Sequence, residues 1–184
     1  AGATAVAADI QPAAQDAPGR FVKHDVASED SWKALLADVL ARDGRLDILI
    51  NNAGITGGWG TVESTTVEQW RRVEAVDSEG VFLGCKYAIE GMKRTGPDQP
   101  ASKGSIVNVA STAGEYGSVR AAAHYASAKG GVIALTRSLA REVGAAGVRV
   151  NALSPGPIDT SGLGADSDEV LAEVAKRTLL GRLG

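Results

Sequence analysis

Tyr125 and Lys129 stand four residues apart in a stretch, His124 to Val143, whose apolar spacing predicts a helix. That spacing puts both side chains on one face, a single turn apart. A phenol with a pKa of about 10 is a poor acid–base group at neutral pH. An ammonium beside it favours the phenolate and draws it toward the working range. The pair alone would also occur on an exposed surface helix, but Ala126, Ser127 and Ala128 between them are small and would let a flat ligand approach. Upstream, Ser111 follows a predicted strand, Ser105 to Ala110, where a hydroxyl can hydrogen-bond a carbonyl or alcohol oxygen. Ser111 is not an acyl nucleophile: it lacks a Gly-x-Ser-x-Gly elbow, and His24 and His124 show no triad context. Asn51-Asn52-Ala53-Gly54 follows another predicted strand, and its small residues allow close backbone approach to a ring or ribose.

Elements that alternate along the chain must position these groups. Thr4 to Ala8 and Phe21 to Val26 read as strands, with Pro12 to Gly19 as turn or short-helix material between them. Ser28 caps a helix with an apolar face of Trp32, Leu35, Leu36, Val39 and Leu40, and Gly44 stops it. Leu46 to Ile50 has the continuous apolar run of a strand covered on both faces. Gly57 to Gly60 is a loop, and Thr66 with Gln69 forms a capping box that opens a long helix running to Met92. Thr95 to Gly104 reads as a surface connection, Arg149 to Leu153 as a strand stopped by Pro155 and Gly156, and a last helix is capped near Ser167. This rhythm predicts an α/β domain: a Rossmann-like, doubly wound parallel sheet with helices on both faces and ligands beyond the carboxyl ends of the strands. Asp9, Asn52, Gly54, Ser111 and Pro155 to Thr160 all fall just after predicted strands.

Composition sets the class. The 184 residues suit one domain, 1–184, and the apolar (44%) and charged (22%) fractions are those of a globular protein. A net charge of −3 argues against nucleic acid as a partner, and no apolar run is long enough to span a membrane. One cysteine rules out an internal disulfide and suggests a reducing, cytoplasmic setting. Two histidines and one cysteine argue against a zinc site, and no metal is expected.

Taken together, Asn51-Asn52-Ala53-Gly54, Ser111, Tyr125-x-x-x-Lys129 and Pro155-Gly156-x-Ile158-x-Thr160 resemble, in order and spacing, the short-chain dehydrogenase/reductase family. The resemblance implies an oxidoreductase that interconverts a secondary alcohol and a ketone with NAD(P). Tyr125 would be the acid–base, Lys129 would lower its pKa and hold the nicotinamide ribose, and Ser111 would orient the substrate oxygen. Asn52, Ala53 and Gly54 would line the adenosine-side ribose. Asp25 and Val26 match an acid–apolar pair that contacts adenine. Pro155, Gly156, Ile158 and Thr160 belong to the loop that would hold the carboxamide. The segments Gly80 to Tyr87 and Arg177 to Leu183 look most like secondary-alcohol dehydrogenases of the cyclopentanol and 1-phenylethanol type. The 3-oxoacyl-carrier-protein and steroid-type reductases are also similar. A homodimer or homotetramer is the family's usual assembly. A weakened cofactor-binding regulator and a structural subunit are the rival readings.

Asp9, at the end of a predicted strand, would accept the ribose hydroxyls and repel a 2′-phosphate, which favours NAD over NADP. The nearest basic residue along the chain is Arg20. Two departures from the family stand out. The glycine-rich phosphate loop with its strand and helix, and the family's last strand, have no counterpart, so the sheet should be incomplete at both ends. Asp77 occupies the place where the family usually has an asparagine that kinks its helix, and it should bring a negative charge near Lys129.

Overall fold

The computed structural model describes residues 3–12, 19–93, 104–118, 122–159 and 168–184. Among these residues there are five short strands, the last four separated by helices. They are β1 (Val6–Asp9), β2 (Arg20–Lys23), β3 (Ile48–Asn51), β4 (Gly104–Val109) and β5 (Val148–Leu153). Every pairing among them is parallel. The helices are α1 (Glu29–Asp43), α2 (Val67–Val73), α3 (Gly80–Lys93), α4 (Thr112–Tyr116), α5 (Ala123–Val143) and α6 (Asp168–Lys176). Parallel strands joined through helices form the Rossmann-like α/β arrangement that the alternating pattern predicts.

Local chemistry explains the helix ends. Ser28 accepts a hydrogen bond from the Ser31 backbone, and Gly44 closes α1 in a left-handed turn at φ 72°. Thr66 and Gln69 form the reciprocal capping box at the start of α2. The long helix expected from Thr66 to Met92 is not regular. A π-turn over Glu74–Glu79 separates α2 from α3 and carries Asp77 at its buried side. An extra residue in one turn rotates the following side chains, which is why such turns gather at functional positions.

The strand register explains the core. Leu49, Ile106 and Val150 stand side by side across β3, β4 and β5. Val81, Cys85, Ala88 and Met92 of α3 cover that row, together with Val132 and Val143 around α5. Trp32 on α1 joins Leu83 and Tyr87 in a second cluster on the same face. The opposite row runs Ile50, Val107, Asn151. Here the expectation of a strand covered on both faces fails: Ile48 and Ile50 are each 61% exposed. An apolar run records which faces are suited to burial, and among the described residues helices supply cover on one face only.

The strands fall into two sheets, β1–β2 and β3–β4–β5, with no strand joining β1 to β3 among the described residues. Between them lies a cavity of about 740 Å³, lined by Val6 and Ala8 on one side and by Ile48, Ile50 and Asn52 on the other. Among the described residues the facing edges of β1 and β3 pair with no strand.

Candidate active site

The carboxyl ends of β3, β4 and β5 converge on one crevice. Ala110 donates to the Leu153 carbonyl (2.8 Å) and Thr112 to the Pro155 carbonyl (3.1 Å), so the chain after β4 stays zipped to the chain after β5. Ser111 serves as N-cap of α4, its Oγ accepting from the Ala113 backbone at 3.1 Å. α4 lies directly on α5, and Gly114 makes this possible. A Cβ there would stand 2.6 Å from the Gly130 nitrogen and the Lys129 carbonyl carbon. The lack of a side chain at Gly114 thus sets how close Ser111 comes to the Tyr125 and Lys129 face.

Tyr125 is half-buried, and the neighbouring Ser111 hydroxyl favours its phenolate. Lys129 is 3% exposed; its Nζ donates to the Val109 carbonyl at 3.0 Å and lies 5.8 Å from the centre of the Tyr125 ring. Asp77 is fully buried. Its Oδ1 accepts from the Ile55 backbone at 2.8 Å, and its Oδ2 lies 3.3 Å from Lys129 Nζ, an ion-pair contact with no aligned hydrogen bond. Gly54 floors this cluster: a Cβ there would sit 3.1 Å from Asp77 Oδ2 and 3.2 Å from Lys129 Nζ.

Burial pushes the Tyr125 phenol up, the neighbouring Ser111 hydroxyl offsets part of this, and the Asp77 charge adds to the rise. Burial likewise raises the Asp77 carboxyl, while Lys129 and the Ile55 amide pull it back. The charge of Asp77 near Lys129 is in place as expected, close enough to form a pair.

The structure brings Ser111, Tyr125, Lys129, Asp77 and Gly54 together. The other candidates lie apart from that cluster. Asp9 is exposed at the end of β1, with Oδ1 accepting from the Gln11 backbone at 2.8 Å. Arg20, the nearest basic residue along the chain, is held by Asp38 and Asp43. Register, however, sets Lys23 of β2 directly beside Asp9, so the carboxylate is not remote from a cation as the sequence suggested. Asp25 caps its own turn by accepting from Ala27 at 2.9 Å, and the Val26 carbonyl accepts from the Trp32 indole at 2.9 Å. Asn52 and Ala53 are exposed beyond β3. Pro155, Gly156 and Ile158 follow β5, where Gly184 holds the loop through Pro157 (3.1 Å) and Asp159 (3.2 Å). Thr160 lies outside the described residues.

Two contributors escape the sequence reading. Asn51, grouped there with the crevice amides, turns inward. It donates to Asn108 at 2.9 Å, and Asn108 donates to Thr136 at 2.9 Å, a buried amide chain that locks β3 and β4 to α5. His124, beside Tyr125, is buried with Nε2 3.1 Å from the Thr56 carbonyl and so ties the loop after Gly54 to the start of α5. Its position next to Tyr125 was the available signal. Cys85, beneath the amide chain, is buried, and its thiol is pushed up to about 11. Among the described residues no cluster of His, Cys, Asp or Glu is placed to hold a metal ion. None of their helices is long and apolar enough to cross a membrane.

A family model described as enoyl-(acyl carrier protein) reductase matches residues 2–184. Cis-4-hydroxycyclohexanecarboxylate dehydrogenase of Sinomonas cyclohexanicum is 41% identical over 95% of this chain and 68% of its own length. The trans-4-hydroxycyclohexanecarboxylate dehydrogenase of the same organism is 43% identical over 76% of this chain and 51% of its own. Meso-2,3-butanediol dehydrogenase of Serratia marcescens is 35% identical over 86% of this chain and 59% of its own. The chain thus spans from about half to two thirds of the length of these curated relatives. Parallel strands, the crevice at their carboxyl ends and these matches together show that the chain belongs to the short-chain dehydrogenase/reductase family.

Proposed function

We propose that this chain carries the catalytic centre of an NAD-dependent dehydrogenase that interconverts a secondary alcohol and its ketone. The observation that carries the reading is the convergence of Ser111, Tyr125 and Lys129, with the Ser111 hydroxyl beside Tyr125 and the Lys129 ammonium 5.8 Å from the centre of its ring. In the oxidation direction the substrate hydroxyl gives its proton to Tyr125 Oη, and Ser111 Oγ holds the same oxygen as it becomes a carbonyl. When bound, the nicotinamide cofactor supplies the hydride acceptor or donor. Lys129 places its positive charge near the Tyr125 ring and would hold the nicotinamide ribose.

Several features suit such a cofactor. The crevice floor at Gly54 has no side chain, and any Cβ there would crowd Asp77 and Lys129. Asp9 offers an exposed carboxylate to a ribose, and its charge opposes a 2′-phosphate while Lys23 beside it weakens that opposition. Asp25, Val26, Asn52 and Ala53 would border the adenosine side, and Pro155, Gly156, Ile158 and Thr160 the carboxamide. The gap between β1 and β3 would seat a strand and helix bearing the glycine-rich phosphate loop. The compounds in the relatives' names, 4-hydroxycyclohexanecarboxylates and 2,3-butanediol, are secondary alcohols, which supports secondary alcohols as the substrate class. The enzyme would work in the cytoplasm as a homodimer or homotetramer.

The test is NADH formation by the full-length protein with cyclopentanol, 1-phenylethanol, 4-hydroxycyclohexanecarboxylate and 2,3-butanediol, alongside the Tyr125→Phe variant. NADH should form with at least one of these alcohols and fall by 10³-fold or more, roughly, in the variant. If no alcohol is oxidised and no matching ketone is reduced, or if Tyr125→Phe retains full activity, the reading is wrong.

A further inference from the structure

Lys129 has two acidic neighbours to serve. Tyr125 lies one turn away on its own helix, and Asp77 comes in from the π-turn across the crevice. Both Lys129 and Asp77 are buried, and their charged atoms are 3.3 Å apart with Val109 O completing the ammonium's contacts. The loop from Asn52 to Gly60 packed over them contains no charged residue. Glu74, one turn back on the same π-turn, is the other charged group acting on the Asp77 carboxyl. On α2, Arg71 and Arg72 are exposed, and on α3, Lys86 is paired with Glu29. No second cation among these offsets Asp77.

We propose that Asp77 is a positioning residue which captures the Lys129 ammonium in a buried ion pair and so sets the pH at which Tyr125 can act as a base. The proposal rests on Tyr125 being the acid–base of the reaction. The carboxylate neutralises most of the field that the ammonium would otherwise exert on the phenol. A phenolate forming beside the pair meets a near-neutral partner instead of a bare cation. Alcohol oxidation, which needs the phenolate, is thereby confined to more alkaline pH. Ketone reduction, which needs the phenol, keeps its donor over a wider range. Burial acts in the same direction on Tyr125 and reinforces the effect.

Asp77→Asn in the full-length protein removes the charge and keeps the shape and the Ile55 contact. Two readouts test it. The first needs no turnover: the ultraviolet phenolate band is titrated in the wild type and in Asp77→Asn, with Tyr125→Phe subtracted from each to isolate the Tyr125 signal. The second is the pH profile of oxidation and of reduction. The Tyr125 band should move down by on the order of one pH unit or more. The oxidation profile should extend to lower pH by the same amount, while the reduction profile retreats from high pH. Asp77→Glu, which restores the charge, should return both limbs toward the wild type. If Asp77→Asn does not fold, Asp77→Ser removes the same charge and carries the same expectation. A phenolate band and pH limbs that stay in place in the uncharged variant overturn the proposal, even where kcat falls uniformly. Failure of the underlying reading looks different: the wild type oxidises no alcohol, whatever the band does.

Discussion

Replacing Lys129 by methionine in the full-length protein should cost stability, and the cost should depend on pH in a set direction. The Lys129 and Asp77 side chains are 4% and 0% exposed, so solvent offers the stranded carboxylate little relief. Breaking a buried pair by removing one partner costs about 3–5 kcal/mol. Losing the donor to the Val109 carbonyl adds roughly 1 kcal/mol. Asp77 has an escape, because it can take up a proton. Burial already raises its pKa in the folded protein, and Lys129 is the foremost group holding it back. For a carboxyl whose folded pKa lies above its unfolded value, protonation favours the folded state. That contribution is fully present below the unfolded pKa and is lost as pH rises through the folded one. Without Lys129 the folded pKa rises further. Within the widened window the variant should lose about 1.4 kcal/mol per pH unit.

Urea unfolding followed by circular dichroism, from pH 5 to pH 8, reads this out. Lys129→Met should approach the wild type at the acid end and fall behind by about 3–5 kcal/mol at pH 8, or roughly 6–20 °C in Tm for a protein of this size. Adding Asp77→Asn to Lys129→Met should recover most of the loss, with a coupling energy of about 1–3 kcal/mol between the two sites. A penalty below about 1 kcal/mol at pH 8, a penalty that does not change with pH, or strict additivity of the two substitutions would each refute the ion-pair argument.

Two further outcomes follow from the geometry. Gly114→Ala drives a Cβ to 2.6 Å from the α5 backbone at Lys129 and Gly130, so it should cost about 1–3 kcal/mol and lower kcat by about tenfold or more. Gly131→Ala, whose Cβ meets only Ser78 Oγ at 3.7 Å, should leave both near wild type; equal effects from the two would exclude the close approach of α4 and α5 as the cause. Asp9→Ser leaves Lys23 beside the ribose site without its carboxylate neighbour. The ratio of kcat/KM for NAD over NADP should fall by on the order of tenfold or more, a difference of about 1.4 kcal/mol, and an unchanged ratio would remove Asp9 from cofactor choice.

What could be read in the sequence was local. The Ser28 cap, the Gly44 stop and the Thr66–Gln69 box depend on residues within one turn of each other, and each forms as its spacing predicts. Strand positions emerge within one or two residues at most ends, because apolar runs mark them. Features that depend on register or on a partner element were hidden. Lys23 lies beside Asp9 only because β1 and β2 pair in one particular register. The inward turn of Asn51 requires Asn108 opposite it. The π-turn was hidden because α2 and α3 each keep helical spacing, and the turn only rotates the side chains of one against those of the other. Ile48 and Ile50 read as buried because the strand is suited to cover on both faces, whether or not that cover is supplied.

The same distinction bears on Tyr125 and Lys129. A four-residue spacing makes two side chains neighbours on a helix, but it does not say which neighbour a long, flexible lysine will choose. Distance and charge decide that. The Asp77 carboxylate stands 3.3 Å from Nζ, whereas the Tyr125 ring centre lies at 5.8 Å and its phenol is neutral until it loses a proton. A full negative charge at the shorter distance outcompetes a neutral ring at the longer one under any dielectric constant. Lys129 therefore serves Asp77 first, and Tyr125 gains its help only to the extent that the phenolate can compete. The family's usual asparagine would leave the ammonium to the tyrosine. A single carboxyl oxygen at Asp77 redirects it.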